Sequence, residues 1–307
     1  MTPDVLAPAG EGARHIANLA WFLFVAGTIV FVAVMMAFAL AIRSSRKRGD
    51  PDADVRGGRR LQLVGGGLIP AAIVAVVFVL TERGITTLTL SARSDVTDVE
   101  LIGRQWWWEV QYPQLGITSA NEIHIPVGRP VRLTVRSPDV IHSFWVPRLH
   151  GKIDLVPGRT NALRLEATRP GTYRGQCAEY CGLQHTRMAL QVVVHDPQSY
   201  DAWVHNERAV GISPTDTLLI SGRGVFERVC ASCHAVRGTL AAGARGPDLT
   251  HVASRAMLAA GTLPNTRDNL ARWVANAEAI KPGSGMPRMP LAAGDLQAVV
   301  AYLESLR

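Results

Sequence analysis

Residues 19–42 run without a single charge, and Thr28 is their one clearly polar side chain. At about 1.5 Å per residue, a helix over this run crosses the roughly 30 Å hydrocarbon core of a bilayer. A cleaved leader would have a shorter apolar run behind a more basic front, and only Arg14 precedes this one. A second apolar stretch, residues 61–81, carries Gln62, Gly65, Gly66, Gly67 and Pro70. Membrane helices tolerate such residues where neighbouring helices compensate. Between the two stretches stand Arg43, Arg46, Lys47, Arg48, Arg56, Arg59 and Arg60 against three acidic residues. That bias predicts a cytoplasmic loop, and hence everything after residue 82 on the outer side of the membrane.

The remainder of the chain is ordinary globular material. Hydrophobic residues make up 48% and charged residues 19% of 307 positions, which excludes a disordered chain. The net charge of +7 invites a nucleic-acid reading. The charge is spread, however, with 8 basic and 5 acidic residues in 1–81, 14 and 13 in 82–210, and 10 and 7 in 211–307. No segment is a concentrated basic surface with a nucleic-acid motif, and that class is set aside.

Residues 96–196 change character. Val131 to Arg136 alternates strictly, as does Glu122 to Ile125, and Asn161 to Glu166 nearly does. Pro and Gly punctuate the segment from Pro113 to Gly171. Short alternating strands at this spacing predict an antiparallel sandwich of about a hundred residues. Gln105 is followed by three consecutive tryptophans, Trp106, Trp107 and Trp108, expected on one strand, where they cannot all face inward.

The four cysteines form two tight pairs, Cys177 with Cys181 and Cys230 with Cys233. A disulfide framework usually scatters its cysteines and closes longer loops, so close pairs point to metal or cofactor ligation. The first pair sits in Gly175-Gln-Cys177-Ala-Glu179-Tyr-Cys181-Gly-Leu-Gln-His185-Thr-Arg-Met188. Two thiolates, an imidazole and a thioether make a soft set that suits copper. Zinc is the alternative, although it rarely takes a thioether. The second pair sits in Cys230-Ala-Ser-Cys233-His234, the attachment signal for a c-type haem. Helical spacing follows at Leu270, Trp273, Val274 and Ala277 and again at Leu296, Val299, Val300 and Leu303. Between them Met286 and Met289 offer a thioether opposite His234, the His/Met ligation of electron carriers. Among the other histidines, His15, His124, His150, His195, His205 and His251 read as packing or surface residues.

The cysteine-rich loop, with Gln105 to Trp108 and His142 in Asp139-Val-Ile-His142-Ser-Phe-Trp, resembles the dinuclear CuA centre of haem–copper oxidase (cytochrome c oxidase) subunit II. The resemblance covers both apolar stretches and the sandwich. It implies a two-helix transmembrane hairpin over 1–90 and a cupredoxin-like domain over 91–205. It implies that Cys177 and Cys181 bridge two copper ions, that His142 and His185 take one each, that Met188 is a weak ligand, and that Glu179 supplies its carbonyl. The Glu179 carboxylate would reach a magnesium ion shared with subunit I, and Lys152 and Asp154 match a segment near that subunit. Trp106 would be where electrons enter the copper pair. Residues 213–307 resemble a class I cytochrome c, all α-helical, after a polar connector from about His195; with its linker this domain is 206–307. There the match to Lys281-Pro282-Gly283 followed by Met286 and Pro287 favours Met286 over Met289 as the sixth haem ligand.

The order hairpin, copper sandwich, haem module looks like subunit II of a caa-type oxidase with its donor cytochrome fused. The implied partners are subunit I, subunit III, an upstream cytochrome c or bc-type complex, and the bacterial inner membrane. A short flexible linker would hold the donor at roughly millimolar effective concentration. The alternatives are the input subunit of a CuA-type nitric oxide reductase and a membrane-anchored electron-transfer or copper-delivery protein; a quinol oxidase subunit usually lacks the copper ligands. One departure stands out. Family members often open the second membrane helix with Glu, which has no counterpart in Leu63 to Pro70, so the resemblance does not extend to proton entry by that route.

Overall fold

The computed structural model describes residues 6–44, 51–88, 97–211 and 214–307. Arg46, Lys47 and Arg48 of the basic loop, the 90/91 boundary and Ser213 lie outside the described residues. The chain divides into two compact units, residues 14–89, and residues 1–13 together with 90–307.

The first unit is helical. Helix α1 is Glu11–Ser44, ten or so residues longer than the uncharged run because its ends accept polar residues. Helix α2, Pro51–Leu63, continues through a π-helical turn, Val64–Leu68, into α3, Ile69–Leu88. Gly65, Gly66 and Gly67 fall in that turn, a short departure from α-helical hydrogen bonding of the kind seen as single turns inside helices. Two spans, Glu11–Arg43 and Gly57–Ile85, are long and apolar enough to cross a membrane. Phe24, Phe31, Phe38, Leu68, Val74 and Phe78 are all more than half exposed. A rod so apolar and so bare is unstable in water and suited to lipid.

The second unit opens with the sandwich. One sheet has the order β3-β2-β1-β5-β8, from β1 (Thr97–Arg104), β2 (Trp107–Tyr112), β3 (Ile117–Ala120), β5 (Val131–Arg136) and β8 (Asn161–Leu165). The other has the order β4-β10-β9-β6-β7, from β4 (Glu122–Pro126), β6 (His142–Trp145), β7 (Ile153–Leu155), β9 (Gly171–Cys177) and β10 (Ala189–His195). The facing side chains form one core, with Leu101, Trp108, Ile123, Leu133, Phe144 and Val192 fully buried. The sheets are mixed rather than wholly antiparallel, since β1 runs parallel to β5 and β4 parallel to β10. Alternation reports which face is wet and says nothing about strand direction. Trp106 is also not on a strand. It sits in the turn between β1 and β2, Trp107 opens β2 half-buried, and Trp108 on the opposite face is fully buried.

The expected polar connector is mostly a helix, α4, Pro197–Arg208. Asp196 caps it by accepting from the Ser199 amide, and Pro197 occupies its first position. Its apolar side carries Tyr200 and Trp203, and Trp203 stacks on His124 at 4.5 Å between centroids. The connector is therefore pinned to the sandwich by burial, leaving only a few residues before the helical module.

That module has α5 (Thr217–Val229), α6 (Arg267–Ala275), the single turn α7 (Ala277–Ile280) and α8 (Ala293–Ser305). Helices α5 and α8 cross closely at Gly222, where a Cβ would lie 2.0 Å from the Ala298 carbonyl oxygen. Val225, Phe226, Val299, Tyr302 and Leu303 close a small core around that crossing.

Candidate metal centres

His142 is the first residue of β6 and Cys177 the last of β9, on adjacent antiparallel strands where Phe144 pairs with Cys177. The chain then loops through Cys181 and a 3-10 turn, His185–Arg187, before entering β10. The loop is closed at its base by Cys177 N–H donating to the Met188 carbonyl, 2.8 Å, and by Ala178 N–H donating to that of Ser143, 2.9 Å. The loop thereby folds Cys181, His185 and Met188 back over Cys177. The two sulfurs stand 3.7 Å apart. His142 Nδ1 lies 3.9 Å from Cys177 Sγ, His185 Nδ1 3.6 Å from Cys181 Sγ, Met188 Sδ 3.9 Å from Cys181 Sγ, and the Glu179 carbonyl oxygen 3.2 Å from Cys177 Sγ. The ligand atoms of His142, Cys177 and Cys181 all fall within 4.8 Å of one another, and all three residues are buried.

Room for the imidazole comes from Gly103 on β1, where a Cβ would meet the His142 ring at 2.8 Å. Asp139 fixes the ring's tautomer: its Oδ1 lies 2.8 Å from His142 Nε2, and its Oδ2 accepts from the Gln105 amide at 2.8 Å. With Nε2 so engaged as the donor, Nδ1 presents its lone pair to the sulfurs. Burial would raise the Asp139 carboxyl, but the bonds from His142, Val140 and Gln105 outweigh it and hold it near 2. Burial likewise works against the His142 imidazolium, and Asp139 and Cys177 together still raise it. The contact between the two sulfurs is the largest influence on both, lowering the Cys177 thiol and raising that of Cys181. The pair thus shares a proton that a soft cation would replace. Thiolates at ~2.3 Å from a metal can stand no more than about 4.6 Å apart, so the 3.7 Å separation fits sulfurs that share an ion.

Around this core the Glu179 carboxylate pairs with Lys152 at 3.4 Å, and Asp154 lies 3.9 Å from the same ammonium. Trp106 Nε1 donates to the Cys181 carbonyl at 2.9 Å, and Gln105 Nε2 donates to the same oxygen at 2.8 Å.

Cys230, Cys233, His234, Met286 and Met289 line one cavity of about 430 Å³. Apolar side chains complete it, among them Phe226, Leu249, Leu270, Trp273 and Leu303. Its size and lining suit a large flat apolar group held at a few polar points. Nδ1 of His234 lies 2.8 Å from the Pro247 carbonyl and donates to it, leaving Nε2 as the ligating atom. Burial lowers the His234 pKa, which keeps that lone pair available. Gly246 admits the ring, since a Cβ there would sit 2.5 Å from it. Arg255 also lines the cavity, buried, with an Nε that has no hydrogen-bond partner among the described residues. Both methionines line the cavity, so geometry alone does not separate Met286 from Met289.

Gln105, Trp106, Trp107 and Asn121 of the sandwich line the same cavity. Trp106 therefore borders the haem-sized space on one side and the Cys181 carbonyl on the other. Two residues that sequence reasoning quoted without a role belong to these sites. Asp139 stands three residues before His142, a spacing that could have marked it as the ring's orienting group. Lys281 donates to the Trp106 carbonyl at 2.7 Å, and no local pattern announces that.

A family model described as the periplasmic domain of cytochrome c oxidase subunit II matches residues 114–195, and one described as cytochrome c matches residues 220–307. A cytochrome c oxidase subunit 2 of Alkalihalophilus pseudofirmus is 36% identical over 98% of this chain and 90% of its own length. The chain belongs to the cytochrome c oxidase subunit 2 family. It is an electron-transferring subunit of an oxidoreductase, with copper in the sandwich, haem in the helical module and an apolar helical anchor. Another subunit 2, from Bacillus sp. strain PS3, is 29% identical over 85% of this chain and 79% of its own length. The solved periplasmic domain of a Bradyrhizobium japonicum cytochrome oxidase subunit II covers 39% of this chain and 97% of its own, at 29% identity and a TM-score of 0.37.

Proposed function

We propose that this subunit takes electrons at a covalently held haem c, passes them through Trp106 to a dinuclear CuA centre, and delivers them to subunit I for reduction of oxygen to water. The bound copper and haem supply one-electron chemistry; the chain's residues supply position, insulation and the path between. Cys230 and Cys233 would hold the haem covalently, and His234 and Met286 would ligate its iron. Six donors, from His142, Cys177, Glu179, Cys181, His185 and Met188, are more than one four-coordinate ion uses, which favours two coppers sharing the sulfurs. The strands and the Asp139 carboxylate restrain the donors, so that little has to move when the charge changes. The observation that carries this reading is Trp106, whose ring borders the haem cavity while its N–H holds the Cys181 carbonyl.

The finer assembly follows from the same reading. The Glu179 carboxylate, beside Lys152, would reach a magnesium ion shared with subunit I, and Lys152 and Asp154 would lie near that subunit. Subunit III and an upstream cytochrome c or bc-type complex complete the chain of transfer. The helices cross the bacterial inner membrane twice and leave both folded modules in the periplasm. The deciding experiment is gas consumption by the complex purified through a tag on this chain and supplied with reduced donor. Oxygen uptake far faster than nitric oxide uptake is expected; preferential turnover of nitric oxide would move the protein to denitrification with every ligand assignment intact.

A further inference from the structure

Lys281 is only 2% exposed, and an ammonium so buried is costly unless each N–H finds an acceptor. Its acceptors are three main-chain carbonyls, Trp106 at 2.7 Å, Arg187 at 2.8 Å and Ala259 at 3.1 Å. Only the third belongs to Lys281's own module. The first lies in the turn whose indole holds Cys181, and the second immediately precedes Met188. One side chain of the haem module thus closes on both segments that frame the copper donors.

The surrounding contacts repeat the pattern. Gln184 Nε2 donates to the Pro282 carbonyl at 2.8 Å and Arg187 Nη1 to that of Ile280 at 2.6 Å. Ala189 N–H donates to the Ala260 carbonyl at 3.0 Å, and Ala256 N–H to Glu122 Oε1 at 2.8 Å. A Cβ on Gly283 would press on Leu183 and Trp106 at 3.3 and 3.5 Å. This is a packed, hydrogen-bonded seam, unlike the loose apposition a free tether gives.

We propose that Lys281 is a positioning residue that latches the haem module onto the copper module in one pose, with Trp106 against the haem cavity. The inference rests on the electron route proposed above. It replaces a diffusing tethered donor with a fixed one: the electron finds its acceptor already in place. Three converging carbonyls suit an ammonium with three rotatable donors, whereas a planar guanidinium cannot aim at all of them.

The test uses the intact oxidase with Lys281→Met, and with Lys281→Arg as a second variant that keeps charge and length. Copper and haem spectra, amide hydrogen exchange and the rate of haem-to-copper transfer after rapid photoreduction are measured on each, the last across a range of viscosity. Loss of a hydrogen bond to a charged group predicts exchange at the Ala189 and Ala256 amides that is faster by ~tenfold or more, with the β1–β5 amides unchanged. Transfer slows and becomes viscosity-dependent only as far as the undocked pose becomes the major one, so exchange is the more sensitive readout, while both spectra stay as in the parent. Unchanged exchange and rate in Lys281→Met would overturn the latch. So would loss of the methionine-to-iron absorption band with exchange unaltered, because Lys281 would then serve its own haem loop alone. A parent complex without a CuA spectrum would instead sink the electron route, and the exchange result would still judge the latch.

Discussion

In the sandwich, six donor atoms drawn from two strands and one loop each lie within 4 Å of a neighbouring donor. In the helical module, Cys230, Cys233, His234, Met286 and Met289 are spread around a cavity of about 430 Å³. The difference follows from what each set must hold. A small ion fits among side chains that already touch, so hydrogen-bonded strands can build its site in advance. A macrocycle needs a slot as large as a substantial part of the module's core. The copper site is therefore a property of the folded sandwich, while the haem site is a fold that depends on its cofactor.

The largest expected effect breaks that comparison at its weaker side. An empty void of 430 Å³ would cost about 10 kcal/mol at ~24 cal/mol per Å³, which equals the whole stability of a typical domain. Water would fill part of the space and reduce the figure. The double variant Cys230→Ala/Cys233→Ala should accordingly lose covalent haem and the unfolding transition of residues 214–307. Cys177→Ala should abolish the copper spectrum yet shift the sandwich by only about 1–2 kcal/mol. Haem staining with calorimetry decides the matter; a haem-free module that melts at the parent temperature would show that the cavity is not what the fold depends on.

Next in size is the choice of methionine. Met286→Ala should remove the sulfur-to-iron absorption band, and Met289→Ala should leave it and cost only packing. The reverse pattern would place Met289 on the iron and shift the ligand loop by almost a turn.

The same contrast explains what could be read before any coordinates. Cys177, Cys181, His185 and Met188 were legible because a soft ligand set concentrated in twelve residues has few other meanings, and Cys-x-x-Cys-His is equally compact. The sandwich showed in the alternation of Val131–Arg136. Its parallel pairs, β1 with β5 and β4 with β10, did not show, because a period of two carries no direction. The helix in the polar connector went unread because α4 carries only two aromatic residues, and the rings of Tyr112 and His124 that half-bury Trp203 lie far back in the sequence. The reach of Lys281, read only as part of the motif before Met286, was invisible for the same reason. Its three acceptors are carbonyls up to 175 positions away, and every residue has a carbonyl.

Asp139 sharpens the comparison at the copper side. It ties the Gln105 amide to the His142 ring, so the preformed geometry depends on a charged acceptor outside the ligand set. Asp139→Asn keeps the volume and removes the charge. Copper affinity should fall by roughly 10–100-fold, with the sandwich still folded. Competition with a chelator measures it, and unchanged affinity would mean the strands alone orient the ring.

The smallest effect concerns a histidine of the sandwich that binds nothing. His150 Nδ1 donates to the Gly151 carbonyl at 3.2 Å, while its buried Nε2 has no partner among the described residues. Protonation would place an N–H where no acceptor waits, so burial lowers the pKa of His150 despite the opposing pull of Gly151. The unfolded chain then binds a proton that the folded one refuses. Stability from this residue is complete above the unfolded value of ~6.5 and is lost as pH falls below it, by at most about 1.4 kcal/mol per pH unit. In copper-loaded protein, where ligation keeps the ligand histidines unprotonated, denaturant unfolding at pH 7 and pH 5 should show this loss. His195, whose pKa burial and His124 also lower, adds a slope of the same sign. His150→Leu should therefore reduce the slope, and His150→Leu with His195→Leu should remove it, without touching the copper spectrum. A slope unchanged in His150→Leu would mean that His150 takes up its proton as readily in the folded sandwich as in the unfolded chain.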